Sequence, residues 1–494
     1  MLSLRSISNL GCVFLLILGL TALFAIWPIV KSQVDRSKGN AGPVGGYNTG
    51  GINGTGQVPT IPGHFSLIDR FTPESALKHV SLETGEEWDL VFSDEFNEEG
   101  RTFWPGDDPF WEAGDQHYWS TNNLEWYDPR MITTENGHLK ITLDKIPNHN
   151  LNYSGGLMTT WNKFCYTGGY FEASLSLPGT SSVYGLWPAV WTLGNLGRAG
   201  YGGTLDGMWP YSYNECDVGT LKNQSKDGLP EIAFTSGEEA YNYTLSYLPG
   251  QRLSACTCPD DETHPGPRNS TTGGFVGRSA PEIDMIEAQP SFHRYQVSQS
   301  AQWAPFNPYY EWINTSATYE IYDDEVVHLN SYQGGHYQQA TSAYAITDQN
   351  CYTGNTGCMS VYGFEYATGD DGYITWVNDG AKSWTIRTGA LGPNAAAEIG
   401  YRQIPVEPMY LIINLGISPN FGAIDYEGLE SLWPTTSDPS KLNIGCDPPD
   451  YPTAAYIERY IEGQSRPVPL LLAALSGLLL ISSRSVVQSD VRSI

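Results

Sequence analysis

The sequence is poor in basic residues and in charge of either sign. Lysine and arginine number 26 against 54 aspartates and glutamates, so the formal net charge is −28, and only 16% of the residues are charged. Nucleic-acid binding rests on Lys and Arg that neutralise phosphates, and this composition therefore argues against nucleic acid and favours a neutral polymer as partner. Solubility in an acidic or extracellular setting explains the acidity equally well.

The sequence also lacks the spacing of metal ligands. Cys256 and Cys258 form "CTC", but no second pair with zinc-like spacing follows. His293 and His336 have no metal-like neighbours in the sequence either. We therefore expect no metal and no cofactor.

Glycine, proline and aromatic residues are abundant instead. The 53 glycines, 32 prolines, 31 tyrosines and 15 tryptophans are typical of a loop-rich, all-β carbohydrate-active protein. Short alternating runs such as "EWDLVFSDEF" and "MYLIINLGIS", bounded by Gly, Pro, Asn or Asp, predict antiparallel strands of a sandwich. Long loops between them, notably from Gly194 to Ala280, are expected to surround a site.

One long apolar run lies near the N-terminus. Residues 11–30 contain 20 uncharged residues, enough to span a hydrocarbon core of about 30 Å, and predict a transmembrane signal anchor. A cleaved signal peptide is the alternative, and the flanking charges do not settle the orientation.

The anchor divides the chain into five predicted parts. These are a cytoplasmic tail (1–10), the anchor (11–30), a Gly/Pro/Asn-rich stalk (31–62), a lumenal β-sandwich domain (63–462) and a divergent tail (463–494). In that tail the apolar run Val468–Ile481 is too short to predict a span, and the polar residues after it argue against a lipid-anchor signal.

Sequons and cysteines indicate the secretory lumen. All six N-x-S/T sequons follow the apolar run, and they give the predicted glycosylation sites Asn53, Asn152, Asn223, Asn242, Asn269 and Asn314. The glycines of "CYTGNTGC" allow Cys351 and Cys358 to close a tight disulfide loop. Seven cysteines follow the anchor, so one thiol is left over.

The segment "PEIDMIEAQ" places three acids in what is otherwise a buried strand. Glu282 and Asp284 share one face, because side chains alternate along a strand, and Glu287 has the wrong parity. It returns to the acidic face only if a β-bulge inserts one residue at Met285 to Ile286. The spacing therefore predicts that bulge.

Two glutamates on one face suit retaining glycoside hydrolysis, in which the carboxyls lie about 5 to 5.5 Å apart. On a straight strand their Cα atoms would be roughly 13 to 16 Å apart, so the bulge and inward-leaning side chains are needed to bring the carboxyls together. Asp284 between them would help to keep one glutamate protonated. Three acids along a solvated edge strand are the alternative, although Ile283, Met285 and Ile286 indicate a core on the other face.

These residues carry a resemblance to a known family. "EIDMIE" resembles the E-x-D-x-x-E signature of family sixteen glycoside hydrolases, the laminarinase-like enzymes, and "GGYFEASLSLPG", "GLWPAVWTLG" and "YLIINLGIS" resemble that family's successive strands. "WNKFCYTGGYFEASLSLPG", "NECDVGT", "GGHYQQATSA" and "GCDPPDYPTAAYIERY" resemble its fungal β-glucan synthesis-associated subfamily, the yeast Kre and Skn proteins.

The resemblance implies a fold, a location and residue roles. It implies a β-jelly-roll, concanavalin-like sandwich with a concave substrate cleft, on a single-pass type II membrane protein of the endoplasmic reticulum, Golgi or plasma membrane. Glu282 would be the nucleophile, Asp284 the assisting acid and Glu287 the acid/base. After "SLWPTTSDPS" the family's usual final strand, of the type I-D-Y-V-R-V-Y, is absent here.

Five residues are candidates for binding sugar, because glucan clefts combine aromatic faces with hydrogen-bonding groups. They are Trp187, Trp191, Trp303, Glu125 and Gln338. For Trp187 and Trp191 core packing is an equal alternative, and loop or surface roles are the alternative for Glu125 and Gln338.

Two functions remain open from the sequence. The first is a membrane-anchored lumenal glycosidase or transglycosylase that acts on β-glucan during fungal cell-wall β-1,6-glucan biosynthesis, alongside other wall-synthesis proteins. The second is a catalytically inactive glucan-binding or assembly scaffold on the same fold.

Overall fold

The computed structural model describes residues 66–252, 279–291, 294–369, 371–432 and 476–488, together with Thr21. The predicted cytoplasmic tail, anchor and stalk lie outside the described residues, apart from Thr21, which is helical. The same holds for Asn53, Asn269, Cys256, Cys258, His293 and Cys446. Among the described residues, no helix is both long and apolar enough to cross a bilayer.

Strands dominate the described part of the chain. In chain order they are β1 (Lys78–Val80), β2 (Glu87–Phe92), β3 (Glu112–Ala113), β4 (Gln116–His117), β5 (Glu125–Tyr127), β6 (Ile132–Glu135), β7 (His138–Asp144), β8 (Tyr153–Thr159), β9 (Gly169–Ser176), β10 (Leu186–Gly194), β11 (Glu282–Ser291), β12 (Arg294–Trp303), β13 (Tyr319–Ile321), β14 (Val327–Leu329), β15 (Gly334–Gly335), β16 (Gln338–Ile346), β17 (Ser360–Ala367), β18 (Tyr373–Asn378), β19 (Ala381–Arg387), β20 (Met409–Ile417) and β21 (Ser476–Gln488). The α-helices that follow Thr21 are short, α1 (Gly202–Leu205) and α2 (Tyr426–Leu432). The 3-10 turns are Glu74–Ala76, Trp119–Thr121, Pro129–Met131, Val218–Thr220, Lys222–Gln224, Glu231–Phe234, Glu239–Tyr241 and Thr388–Leu391.

These strands form two sheets. The first sheet has the order β1–β2–β21–β9–β17–β18–β19–β13, with the β6–β7 pair beside the N-terminal half of β21. The second has the order β3–β8–β20–β10–β11–β12–β16, with β14 and β15 on the far side of β16. These pairings are antiparallel, and the fold is an all-β, jelly-roll-like sandwich, as the sequence predicts.

The central strands of the second sheet are buried on both faces. All nine residues of β20 are buried. Leu411 and Ile413 point into the core between the sheets, whereas Tyr410 and Ile412 join a second cluster on the opposite face. Alternate side chains of β20 therefore pack into apolar layers on opposite faces of the sheet. Because both faces are buried, the strand is a continuous apolar run and does not alternate with polar residues.

The main core lies between the sheets and is rich in aromatic rings. Trp376 and Trp384 stack at 4.5 Å between ring centroids, and both are fully buried. Burying a large apolar side chain stabilises a fold by about 1.5 to 3 kcal/mol. This core therefore fixes the second sheet, and with it the acid-bearing strand β11, against the first.

The strand β21 comes from the C-terminal tail. The sequence predicts a divergent tail at residues 463–494 and lacks the family's usual final strand. In the structure the backbone of Ser476–Gln488 pairs with β7 and β2 on one side and with β9 on the other. A gap there would leave the backbone groups of β7 and β9 unpaired, and this segment satisfies them.

Candidate active site

The register of three strands, β10, β11 and β12, brings the three acids to one face. Glu282, Asp284 and Glu287 pair with Leu193, Trp191 and Ala189 of β10. They also pair with Gln302, Ser300 and Ser298 of β12. Paired residues point the same way in an antiparallel sheet, so these side chains share the face of the second sheet turned away from the core, called here the acid face.

The β-bulge predicted from the spacing is present in β11. Between the pairs Asp284↔Ser300 and Glu287↔Ser298, two residues of β11 stand opposite one residue of β12. Both of them, Met285 and Ile286, are fully buried in the core. The extra residue therefore restores the parity that carries Glu287 to the acid face.

Each acid is held by hydrogen bonds from neighbouring side chains. Trp209 Nε1 donates to Glu282 Oε2 at 2.6 Å, and Trp187 Nε1 donates to Glu287 Oε1 at 3.1 Å. The Asp284 Oδ2 atom accepts from Ser300 Oγ at 2.8 Å and from Gln302 Nε2 at 2.9 Å.

The main chain of the bulge is tied to the opposite sheet. Trp376 of β18 donates its indole N–H to the backbone oxygen of Asp284 at 2.8 Å. The indole reaches across the core and gives this backbone carbonyl, which lies next to the bulge, a hydrogen-bond donor. The acid strand is thus fixed by side chains on both of its faces.

Burial raises the pKa of all three acids. For Glu287, burial and the nearby charge of Asp284 raise the pKa to about 8, against the lowering effect of the Trp187 hydrogen bond. For Asp284, burial raises the pKa to about 6 although Gln302, Ser300 and Glu282 hydrogen-bond to it. Burial and the charges of Asp284 and Glu287 raise the pKa of Glu282 well above its ordinary value.

The side chains of Glu282 and Asp284 share one face two residues apart and interact with each other. This interaction raises the pKa of Glu282 and lowers that of Asp284, so Glu282 holds a proton more readily than Asp284. Between about pH 6 and pH 8 the three acids accordingly hold two protons and one negative charge. One carboxylate and one carboxylic acid are available together in that interval.

Two of the candidate sugar-binding residues lie on the acid face. Trp187 is half-buried and stacks on Phe421 at 4.2 Å between ring centroids, with an interplanar angle of 1°. Trp191 is largely buried beside Asp284, and its Nε1 donates to Asn414 Oδ1 at 2.8 Å.

The third tryptophan was placed wrongly by sequence reasoning. Trp303 is fully buried in the core, and its Nε1 donates to Thr341 Oγ1 at 3.0 Å. It shares strand parity with Val297 and Ala301, which are also in the core. Its ring therefore offers no face to a sugar.

The two polar candidates differ from each other. Glu125 is fully buried, accepts from Asn123 Nδ2 at 2.6 Å and from the backbone N–H of Ile417 at 3.0 Å, and is therefore closed to a sugar. Burial raises its pKa to about 7. Gln338 is half-buried at the start of β16, and its Nε2 donates to the hydroxyl of Tyr332 at 3.3 Å.

Sequence reasoning missed Trp209, Ser300, Gln302 and Asn414. A signal for two of them was readable, because the alternation of polar residues at 298, 300 and 302 in "VSQSAQW" puts Ser and Gln on the face opposite Val297 and Ala301. Trp209 belongs to the loop between β10 and β11, and its bond to Glu282 depends on how that loop folds back. The prediction that this loop lies around a site is consistent with that contact.

The described cysteines and sequons have these positions. Cys351 and Cys358 are joined in a disulfide, Cys216 is also disulfide-bonded, and Cys165 is an exposed free thiol. Asn152, Asn242 and Asn314 are exposed and Asn223 is half-buried. Of the described residues, Asp348 approaches Cys351 and Cys358 in a metal-like group, but sulfurs joined in a disulfide are not thiolate ligands.

Comparisons with known proteins identify the family of this chain. Residues 1–465 match the family model of beta-glucan synthesis-associated protein SKN1/KRE6/Sbg1. The chain is 43% identical over 420 residues to the beta-glucan synthesis-associated protein KRE6 of Candida albicans, covering 80% of this chain and 52% of that protein. It is 42% identical over 415 residues to KRE6 of Saccharomyces cerevisiae, covering 80% of this chain and 53% of the relative.

Solved structures include more distant similarities. The laminarinase catalytic domain of Thermotoga maritima aligns with a TM-score of 0.41 and 16% identity, covering 82% of this chain and all of that chain. The chain spans about half the length of the curated relatives that it matches. By the match of the family model over residues 1–465, the chain belongs to the SKN1/KRE6/Sbg1 family of beta-glucan synthesis-associated proteins.

Proposed function

We propose that this chain is a retaining glycosidase or transglycosylase that acts on β-glucan. The observation that carries the proposal is the bulged strand β11, which sets Glu282, Asp284 and Glu287 on one face. Retaining enzymes need one carboxylate as nucleophile and one carboxylic acid as proton donor. A pKa of about 8 suits Glu287 to the second role near neutral pH.

In the first step a Glu282 carboxylate oxygen attacks the anomeric carbon, and the bond to the leaving oxygen breaks. Glu287 gives its proton to that oxygen and becomes a carboxylate. In the second step Glu287 takes a proton from an acceptor hydroxyl, whose oxygen attacks the anomeric carbon and releases Glu282. Water as acceptor gives hydrolysis, and a sugar hydroxyl gives glycosyl transfer.

The proton shared by Glu282 and Asp284 must move before the first step. It rests on Glu282 in the free protein, and its transfer to the neighbouring Asp284 carboxylate produces the Glu282 carboxylate without a change in total charge. The N–H of Trp209 stabilises that carboxylate. Asp284 is therefore proposed as the residue that holds the proton while Glu282 is the nucleophile.

Neighbouring indoles favour a sugar substrate. Trp187 and Trp209 donate to the two glutamates, and both pack against the apolar cluster of the acid face. Sugars present apolar C–H faces that pack against aromatic rings, and their hydroxyls suit the interleaved polar groups. The relatives are named for β-glucan synthesis, which makes β-glucan the proposed substrate and wall assembly the proposed process.

We also propose that the domain works on the lumenal or extracellular side of a secretory membrane, anchored by residues 11–30. The disulfides and the exposed sequon asparagines support an oxidising, glycosylating compartment. Enzymatic removal of N-linked glycans from the purified chain would shift its electrophoretic mobility if the sequons are used. An unshifted band would count against the lumenal location.

The deciding experiment is product analysis with Glu282→Gln as the paired variant. The full chain is incubated with defined β-1,3- and β-1,6-linked gluco-oligosaccharides, and products are profiled by mass. Longer products indicate transfer and shorter ones hydrolysis, and both should vanish in Glu282→Gln. Turnover that survives in this variant, or a wild type that binds glucan without any turnover, overturns the catalytic proposal and leaves the scaffold reading.

A further inference from the structure

An aromatic cluster lies beside the acid face, where the loop between β10 and β11 meets the turn before β16. The ring of His336 contacts Tyr241 at 3.3 Å and Tyr337 at 4.0 Å between centroids. Tyr247 approaches His336 at 5.1 Å and Tyr337 at 6.2 Å. The backbone N–H of Tyr247 donates to the His336 oxygen at 2.9 Å, which holds the loop against the turn.

The cluster has a buried residue underneath and exposed rings above it. The buried residue is His336, which is only 6% exposed. Tyr247 is 43% exposed, Tyr337 53% and the neighbouring Tyr332 52%. The loop and the turn therefore hold large rings towards solvent on a rigid support, called here the tyrosine platform (Tyr247, Tyr332 and Tyr337).

The platform is continuous with the acid site. Although about half of Tyr332 is exposed, partial burial of its phenol and the charges of Glu238 and Glu287 raise the pKa of this residue. The amide of Gln338 donates to the same hydroxyl. Tyr344 of β16 lies on the row of Glu287 and Ser298, and the charge of Glu287 helps to raise its pKa too. Phenols and an amide thus lead from Glu287 to the exposed rings.

The chemistry of this path fits a neutral sugar chain. Exposed phenol rings pack against the C–H faces of a pyranose while their hydroxyls and the Gln338 amide serve its oxygen atoms. A polyanion is disfavoured, because Glu238 lies beside the platform and the whole chain carries a net charge of −28.

We infer that the tyrosine platform is an additional glucan subsite that binds glucose units beyond those at the acids, and so makes this domain prefer long linear chains. The inference rests on the proposed function, because it takes the chain at the acids to be β-glucan. The platform is built by the loop between β10 and β11 and by the β14 to β16 turn, and it is separate from the bulged strand.

The test measures binding of linear β-1,3-linked gluco-oligosaccharides by calorimetry with the full chain carrying Glu282→Gln, which prevents turnover. The parent should bind longer oligosaccharides more tightly than the trisaccharide. Adding Tyr247→Ala and Tyr337→Ala should weaken binding of the longer chains about tenfold, equivalent to about 1.4 kcal/mol. Binding of the trisaccharide should not change.

Matched variants separate a subsite from a loss of folding. Tyr247→Phe with Tyr337→Phe keeps the rings and should retain the preference for long chains. Phe71→Ala removes a ring of similar exposure, 52%, from a different surface and should have no effect. Equal affinity for all lengths in the parent, or an unchanged preference in the double alanine variant, overturns the platform alone. A parent that binds no linear glucan overturns both the platform and the proposed substrate.

Discussion

Two glutamates in this protein, the fully buried Glu365 and the half-buried Glu287, have pKa values shifted in opposite directions. Glu365 of β17 accepts from Ser81 Oγ and the backbone N–H of Leu82, both at 2.7 Å, and from the Tyr373 hydroxyl at 2.6 Å. Burial alone would raise its pKa, but the hydrogen bonds from these groups, together with His79 Nε2 at 3.5 Å from Oε2, outweigh burial and lower it. Glu287 accepts from the single indole of Trp187, and its pKa rises to about 8.

The difference teaches that the number of donors, more than burial, decides the role of a carboxyl group. Three or four donors replace the lost water and make Glu365 a permanent structural anion. One donor and the neighbouring charge of Asp284 leave Glu287 as a group that holds a proton near neutral pH and can give it away. The same fold thus contains a fixed charge and a proposed proton carrier in different sheets.

The largest expected effect is a loss of activity when Glu287, the proposed proton donor, is replaced. Glu287→Gln removes the proposed proton donor, and kcat for a natural glucan should fall by about 10² to 10⁴. A glucoside whose leaving group needs no protonation should be cleaved with a much smaller loss. Steady-state kinetics with both substrates checks this, and an equal loss on both would assign Glu287 a role other than proton donor.

The next largest effect is expected at Glu365, where a substitution should reduce stability. Glu365→Gln replaces one of the two acceptor oxygens by an NH2 group that faces buried donors, and the free energy of unfolding should fall by about 1 to 3 kcal/mol in urea denaturation. The activity per folded molecule should not change. A variant that is stable but inactive would contradict the division between the two glutamates.

The pH dependence of stability should separate the same two residues. Glu365 has a lowered pKa, so its contribution is present above its ordinary value of 4.5 and is lost as pH falls through the folded pKa. Glu287 has a raised pKa, so the folded state keeps a proton that the unfolded state releases, and stability falls as pH rises from about 4.5 to about 8. Unfolding of Glu365→Gln and Glu287→Gln across pH should each remove one of these slopes.

A smaller effect is expected on the pH profile of activity. Wild-type kcat/KM should be bell-shaped, falling below about pH 6 as the last carboxylate is protonated and above about pH 8 as Glu287 loses its proton. Trp187→Phe removes the donor that lowers the pKa of Glu287, so the upper limb should move to higher pH by up to about one unit. An upper limb that stays in place would show that another group controls it.

The smallest expected effect is a shift of the pH profile when one hydrogen-bond donor to Asp284 is removed. Ser300→Ala removes one of the donors that lower the pKa of Asp284, so the lower limb should move to higher pH by a fraction of a unit. The upper limb should not move. A shift of both limbs would mean that the substitution disturbs the whole strand.

The acids and the bulge of β11 were predictable because strand parity is a local rule that nine residues suffice to apply. For Trp303 two signals conflict, because its position soon after the acids favours the cleft whereas its parity with Ala301 favours the core, and the structure follows parity. The contact of Trp209 with Glu282 could not be predicted, since it depends on the path of a long loop. The pairing of β21 with β7 and β9 joins segments far apart in sequence, and local pattern does not specify such partners.

The indole bond from Trp376 to the Asp284 carbonyl gives the first sheet a share in the chemistry proposed for the second. Trp376 stacks on Trp384, so a substitution of either ring should alter the packing of the acid-bearing strand β11 on its core side. The region that tunes the proton donor therefore extends across the full thickness of the sandwich. A search for variants with altered pH optima should include β18 and β19 as well as the cleft.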